Sequence, residues 1–242
     1  MSLKNSKIRL YFNASIAKDD DIVFNKDQTH YLSKVMRLRT GDTLEIFNGI
    51  NGAWKAKITD ISKKSANAKI ICQTQIQRNP PDLWVLFAPI IKNRTQFIIE
   101  KATELGAARI IPVKTEFTNA ERIKRENLCA HAIEAAEQCR GTFVPAVEEL
   151  TELGNLLNKW PDDRGILFCN EMLAGGKIEL PKKGIRKWAI LIGPEGGFSV
   201  SEQTKLNNNK LIFPIDLGPR ILRADTAVVA AMSLWQKRFG DW

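Results

Sequence analysis

The chain has 242 residues, an apolar share of 44% and a formal net charge of +9, with a pI near 9.4. The apolar share is ordinary for a globular protein with a real core, and no run approaches the roughly 20 residues of a membrane span. Four dispersed cysteines and two histidines, His30 and His131, leave little for a zinc centre or a Ser-His-Asp triad. The first residues lack an apolar core of signal-peptide length, so a cytoplasmic protein with reduced thiols, no metal and no membrane is expected. The charge is uneven. Residues 1–79 hold 14 Lys+Arg against 7 Asp+Glu, a net of +7, whereas residues 80–242 hold 22 against 20, a net of +2. A basic module joined to a near-neutral one suggests a part that grips a polyanion and a part that does chemistry, although surplus lysine also serves solubility.

Residues 8–12, 22–24, 43–47, 53–58 and 68–74 read as short strands, with clear turn chemistry at Asn48-Gly49-Ile50-Asn51-Gly52. Residues 29–38 have helical spacing at Leu32, Val35 and Met36 and carry Lys34, Arg37 and, just beyond, Arg39. The expected product is a small β-barrel with one basic helix. Lys34, Arg37, Arg39, Lys55 and Lys57 are candidates for phosphate contacts, with an ordinary solvated face as the alternative. Asn79-Pro80-Pro81-Asp82 reads as a linker, because consecutive prolines continue neither a helix nor a central strand. It divides the chain into 1–78 and 79–242.

Beyond the linker, strands alternate with helices. A strand at 83–88, a helix at 95–105 ended by Gly106 and a strand at 109–113 make one βαβ unit. A long helix at 119–140 capped by Gly141, a shorter helix at 148–157 and a strand at 165–170 follow. Two further apolar runs, 188–192 and 211–217, each end in a Gly-Pro loop that leads into a helix. Ser199 and Glu202 form a capping box ahead of the first helix. Asp225 is the expected N-cap of the second, which spans 226–238 and presents Ala227, Val228, Ala231, Leu234 and Trp235 on one face. This alternation predicts a parallel sheet covered on both faces, with both loops at its C-terminal edge, where α/β proteins place ligands. Periodicity alone leads to an open, doubly wound α/β sheet. In the loops, Gly193, Gly196 and Gly197 permit close backbone approach and positive φ, while Pro194 and Pro219 stiffen the chain.

The run L-I-G-P-E-G-G-F-S followed by L-G-P-R-I-L-R-A-D-T-A resembles the C-terminal signature of the SPOUT class of RNA methyltransferases. Within that class the chain is similar to the ribosomal RNA small subunit methyltransferase E family. H-Y-L-S-K-V-M-R-L-R-T-G-D, E-K-A-T-E-L-G-A-A-R-I-I-P-V and E-A-A-E-Q-C extend the likeness over nearly the whole chain. The resemblance implies a PUA-like RNA-binding β-barrel in 1–78. It also implies a SPOUT methyltransferase domain with a deep C-terminal trefoil knot in 79–242, an outcome that no general rule of chain topology would select.

The implied activity is S-adenosylmethionine-dependent methylation of N3 of a uridine in the decoding region of 16S rRNA. The implied setting is the 30S subunit in the cytoplasm, with the enzyme a homodimer. An exposed Trp235 on the last helix would agree with such a dimer. Carried over residue by residue, the resemblance puts the cofactor against Leu191, Ile192, Gly193, Pro194, Glu195, Gly196 and Gly197, and against Ile212, Leu217, Gly218, Ile221, Leu222 and Arg223. Phe168 and Glu171 make a third contribution, with a merely solvent-facing carboxylate as the alternative for Glu171.

Transfer of a methyl group to uracil N3 needs alignment, a dry pocket and removal of a weakly acidic proton. Arg220 and Arg223 suit the substrate side, since a guanidinium grips phosphate bidentately and also stabilises negative charge developing on a uracil oxygen. The bland alternative is a pair of structural ion bridges, Arg220 with Glu195 and Arg223 with Asp225. Glu195 and Asp225 are also the candidate bases. Three positions depart from the common family pattern: Ala224-Asp225 stands for Thr-Glu or Ser-Glu, Arg140-Gly141 for Gly-Arg, and Phe117 for an arginine. Two competing readings stay open, a SPOUT enzyme for a different rRNA or tRNA nucleotide and a non-catalytic RNA-binding protein on the same fold.

Overall fold

A computed structural model describes residues 8–120, 122–173 and 185–242. The chain forms two compact units, one of Met1–Asn79 with Ala136–Val144, the other of Pro80–Ala135 with Pro145–Trp242. In the first unit, β1 (Arg9–Tyr11), β2 (Asp21–Val23), β3 (Thr43–Phe47), β4 (Ala53–Ile61) and β5 (Ala66–Gln75) form a sheet in the order β1-β3-β4-β5-β2. Alternation in β5 turns Ala66, Ala68 and Ile70 inward, where they meet Leu10, Ile22, Leu32, Leu44, Ile46 and Ile58. No ladder joins β1 to β2 among the described residues, so this is a five-stranded sheet around a core rather than the closed barrel expected.

The single helix at 29–38 is corrected as well. Asn25 caps α1 (Lys26–His30) through a capping box with Gln28, and a π-helical turn, Tyr31–Val35, follows. The widened turn buries Leu32 but leaves Val35 60% exposed, off the expected apolar face.

The second unit holds a seven-stranded sheet with every pair parallel. Its strands are β6 (Leu83–Phe87), β7 (Arg109–Lys114), β8 (Ala146–Val147), β9 (Thr151–Glu152), β10 (Arg164–Cys169), β11 (Lys187–Ile192) and β12 (Ile212–Ile215). The order runs β12-β10-β11-β6-β7-β8, with β9 beside β7. Near-continuous burial along β6, β10 and β11 is the mark of central parallel strands covered on both faces. At their starting edge, buried Arg164 donates to both Asp82 carboxylate oxygens at 2.9 and 2.7 Å and to the Trp188 carbonyl at 3.0 Å. At the opposite edge Ile192 lies in register with both Cys169 and Phe87, and Cys169 with Ile215, so the loops after β10, β11 and β12 emerge together.

The helices are α2 (Lys92–Glu104), α3 (Arg125–Cys139), α4 (Leu153–Asn158), α5 (Val200–Asn207) and α6 (Ala224–Phe239). Several expectations at their ends are overturned. α3 begins at Arg125 rather than at 119, and Arg140 (φ 60°), not Gly141, takes the left-handed position after it. The helix expected at 148–157 is instead β9 followed by α4. The capping box of Ser199 and Glu202 forms at α5 as read from the sequence. At α6 the N-cap is Arg223, without a side-chain bond, and Asp225 sits inside the first turn with its carboxylate accepting from the Thr226 N–H at 2.9 Å. Trp235 is 2% exposed, next to Phe239, which stacks on Trp188 at 5.4 Å. The argument for a dimer from an exposed Trp235 therefore falls.

Candidate functional site

The three loops leaving β10, β11 and β12 enclose a cavity of about 270 Å³. The first contributes Cys169, Asn170, Glu171 and Met172; the second Gly193, Pro194, Glu195, Gly197 and Phe198; the third Asp216, Leu217, Arg220, Ile221, Leu222 and Arg223. Ile192, Gln203, Ile215, Ala224 and Ala227 complete the wall. Apolar walls with a few convergent polar groups suit a small organic ligand.

The glycines are not equivalent. Gly197 has φ +71°, the conformation that calls for glycine, and a Cβ there would lie 2.6 Å from Oε1 at the movable end of the Glu171 side chain. A Cβ on Gly193 would run into the Phe198 ring, which meets Phe168 edge-on at 5.0 Å. Gly196 is different. Its φ is ordinary, and an added Cβ would come 3.3 Å from Phe117 Cβ, outside the cavity lining. Gly218 (φ +116°) donates its N–H to buried Asp216 Oδ1 at 2.9 Å, forming the turn after β12.

Of the residues implied for the cofactor, Glu171, Ile192, Gly193, Pro194, Glu195, Gly197, Leu217, Ile221, Leu222 and Arg223 line the cavity. Phe168, Leu191 and Ile212 do not. They are buried in the packed core beneath it, because β-strand residues before the last one face neighbouring layers rather than the loop edge. Gly196 and Gly218 shape the loops without lining the cavity. Among the catalytic candidates, Arg220 and Arg223 are exposed at the rim.

The alternative of a structural bridge from Arg220 to Glu195 or from Arg223 to Asp225 is not realised among the described residues. Arg94 takes both carboxylates instead: Nη1 donates to Glu195 Oε1 at 2.8 Å, and Nε lies 3.8 Å from Asp225 Oδ2. Sequence reasoning overlooked Arg94, yet a signal was present. The first turn of α2 holds Lys92 and Arg94 and no acid, and a cation there opposes the helix dipole unless carboxylates come from elsewhere. Asp216, Asn170 and Gln203 were also missed, since nothing in their spacing separates them from loop polars. Cys169 is half-buried in the cavity wall, and desolvation there pushes its thiol up, away from the reactive thiolate.

In the first unit, Lys34, Arg37 and Arg39 are exposed around the turn after α1, with Arg37 held at φ 52°. Lys55 is half-buried, and Lys57 lies in a groove with Lys18, Lys69, Thr40 and Gly41. Lys69 lies in register between Lys57 of β4 and Asp21 of β2, and Asp19 shares the groove, so charges of both signs meet there. Among the described residues no group of three or more His, Cys, Asp or Glu is arranged to hold a metal, and no helix is long and apolar enough to cross a membrane.

Comparison with known proteins bears directly on this architecture. Residues 77–236 match the RNA methyltransferase domain family, and residues 24–71 match the RNA methyltransferase PUA domain. The Ribosomal RNA small subunit methyltransferase E of Rickettsia conorii is 31% identical over 232 residues, 93% of each chain. Its namesake from Buchnera aphidicola subsp. Schizaphis graminum is 32% identical over 244 residues, 96% of this chain and 97% of its own. The crystal structure of a Neisseria gonorrhoeae Ribosomal RNA small subunit methyltransferase E bound to S-adenosyl methionine superposes with a TM-score of 0.87 at 26% identity, covering 97% of this chain and 99% of that one. A Legionella pneumophila methyltransferase with bound SAM gives 0.84, with the same identity and coverage. With one family match spanning most of the chain and relatives above 30% identity along almost all of it, the chain belongs to the ribosomal RNA small subunit methyltransferase E family.

Proposed function

We propose that this protein uses S-adenosylmethionine to methylate N3 of a uridine in the decoding region of 16S rRNA, acting in the cytoplasm on the assembled 30S subunit. The observation that carries this reading is the three-loop cavity at the C-terminal edge of the parallel sheet, with Gly197 stripped of a side chain beneath Glu171 and two arginines at the rim. The residues present fit the cofactor. Backbone at Gly193, Pro194 and Gly197 would lie against it, Ile192, Phe198, Ile215 and Leu222 would exclude water, and Glu171, Asn170 and Gln203 would offer polar contacts. When bound, S-adenosylmethionine supplies an electrophilic methyl group on sulfur.

The protein's own task is to align the uracil, keep the site dry and stabilise the anion left when the N3 proton departs. Arg220 is the residue we assign to that charge. In the reaction an N–C bond forms at N3, an S–C bond breaks, and the N3 proton passes to a base. Glu195 and Asp225 are poor choices for that base as they stand, because both face Arg94.

We assign RNA affinity to the PUA-like part, residues 1–78, and chemistry to the remainder, 79–242. The deep trefoil knot at the C-terminus is our inference from family membership alone. A homodimer would cover Ile91, Met172, Val200 and Ile221, which are 64–82% exposed around the loop edge. Static light scattering at micromolar concentration should return twice the 27.3 kDa chain mass; a single-chain mass would refute the dimer. Replacing Arg37 and Arg39 with alanine should weaken RNA binding and flatten its salt dependence by roughly one log unit per lost phosphate contact, with cofactor affinity unchanged. Calorimetric titration with S-adenosylmethionine, followed by methyl transfer to separate 30S, 50S and tRNA substrates, tests the function itself.

A further inference from the structure

We propose that Arg94 is a positioning residue for methyl transfer, its guanidinium tying the loop after β11 to the start of α6 beside the cavity, a role that rests on the S-adenosylmethionine reading above. Arg94 belongs to neither loop. It stands in the first turn of α2, while Glu195 lies in the loop after β11 and Asp225 in the first turn of α6. One cation, 2.8 Å from the first carboxylate and 3.8 Å from the second, therefore spans segments whose neighbours Pro194, Gly197, Arg223 and Ala224 line the cavity.

Three features separate this clamp from an ordinary surface pair. The position is locally unfavourable, since a cation in an acid-free first turn opposes the helix dipole, so the carboxylates it meets outside its own helix are what offset the cost. The clamp is withdrawn from solvent at one end only: the Arg94 and Asp225 side chains are 24% and 19% exposed, where attraction between charges is less screened, while Glu195 is 57% exposed. The joined segments are otherwise held separately, the first by buried Phe198 and the Ser199–Glu202 capping box and the second by buried Ala224 and Ala227, and Arg94 is the charged contact that reaches both. A planar fork of five donors can serve two carboxylates at once, which the point charge of lysine cannot do equally well. Glu195 and Asp225 thereby gain a task other than proton transfer, that of fixing where the loop backbone meets the cofactor.

The test compares wild type with Arg94→Ala, Arg94→Lys, Glu195→Gln and the Arg94→Ala/Glu195→Gln double variant. Calorimetry with S-adenosylmethionine, kcat/KM on 30S subunits and thermal melting are read in each. Arg94→Ala should lose about tenfold in cofactor affinity and about tenfold in kcat/KM, with little change in melting temperature, since the contacts it fixes lie at the loop edge of the sheet rather than in the core strands that set global stability. Arg94→Lys should recover only part of both. The double variant should be no worse than Arg94→Ala alone, because the second change removes an interaction already lost. Wild-type affinity and turnover in Arg94→Ala, or losses that multiply in the double variant, would overturn the role. Should the alanine variant unfold, Arg94→Lys carries the comparison, with a several-fold loss supporting the clamp and unchanged values refuting it. A wild-type protein that fails to bind S-adenosylmethionine overturns the cofactor reading and this role with it, a result distinct from a neutral Arg94.

Discussion

Gly197→Val should raise the dissociation constant for S-adenosylmethionine by about two orders of magnitude while leaving the protein folded. Two costs combine. A β-branched residue at φ +71° occupies a region that L-residues of this kind almost never adopt, and its Cβ would lie 2.6 Å from Glu171 Oε1. The Glu171 carboxylate must turn aside and the strained backbone of the loop after β11 must shift, which changes the cavity wall. Because loops at a sheet edge open independently of the core strands, the effect should appear in binding more than in the circular dichroism spectrum. Gly196→Ala is the matched control. Its φ is ordinary and the nearest atom, Phe117 Cβ, needs to yield by only a few tenths of an ångström, so affinity should stay within a few-fold of wild type. Equal losses in the two variants would mean that general loop flexibility, not the Gly197 contact, governs binding.

Arg220→Ala should lower kcat on saturating 30S subunits by about 10²–10³-fold, the usual cost of losing one donor to a developing anion. The reasoning is positional. Arg220 lines the cavity from the third loop, is exposed at its rim and makes no ion pair among the described residues, so its guanidinium is available to substrate. An interaction made mainly in the transition state reduces kcat and leaves binding nearly intact. Arg37→Ala with Arg39→Ala should show the reverse pattern, because those residues lie in the part carrying +7 of the +9 net charge. A loss of RNA affinity without loss of turnover in Arg220→Ala would move that arginine from the reacting base to the phosphate backbone.

Much of the fold was legible because it rests on local chemistry. The Ser199–Glu202 capping box, the Gly106 stop of α2 and the parallel pattern of β6, β10 and β11 all follow from spacing and burial. Errors fall where a local rule competed with a neighbour. Asp225 has the right side chain for an N-cap, but Arg223 fills that position and Asp225 turns to Arg94. Trp235 reads as part of an apolar helix face that needs a second copy to cover it, yet it is buried within the chain beside Phe239.

At the site, glycine-bearing loops marked the cavity, because unusual backbone leaves a trace in residue type. Which glycine matters did not show in the sequence, since the close approach of Glu171 to Gly197 joins residues 26 positions apart. Arg94 was hidden for the same reason: its two partners lie more than 100 residues away in the chain.

The central claim is tested most directly by incubating the purified protein with isotope-labelled S-adenosylmethionine and undermodified 30S subunits, then mapping the label in the rRNA by mass spectrometry. We predict one labelled nucleotide, a uridine of the 16S decoding region carrying its methyl group on N3, and none on 50S subunits or tRNA. Label on another nucleotide class, on tRNA or on 23S rRNA, or no transfer to 30S subunits at all, would contradict the assignment.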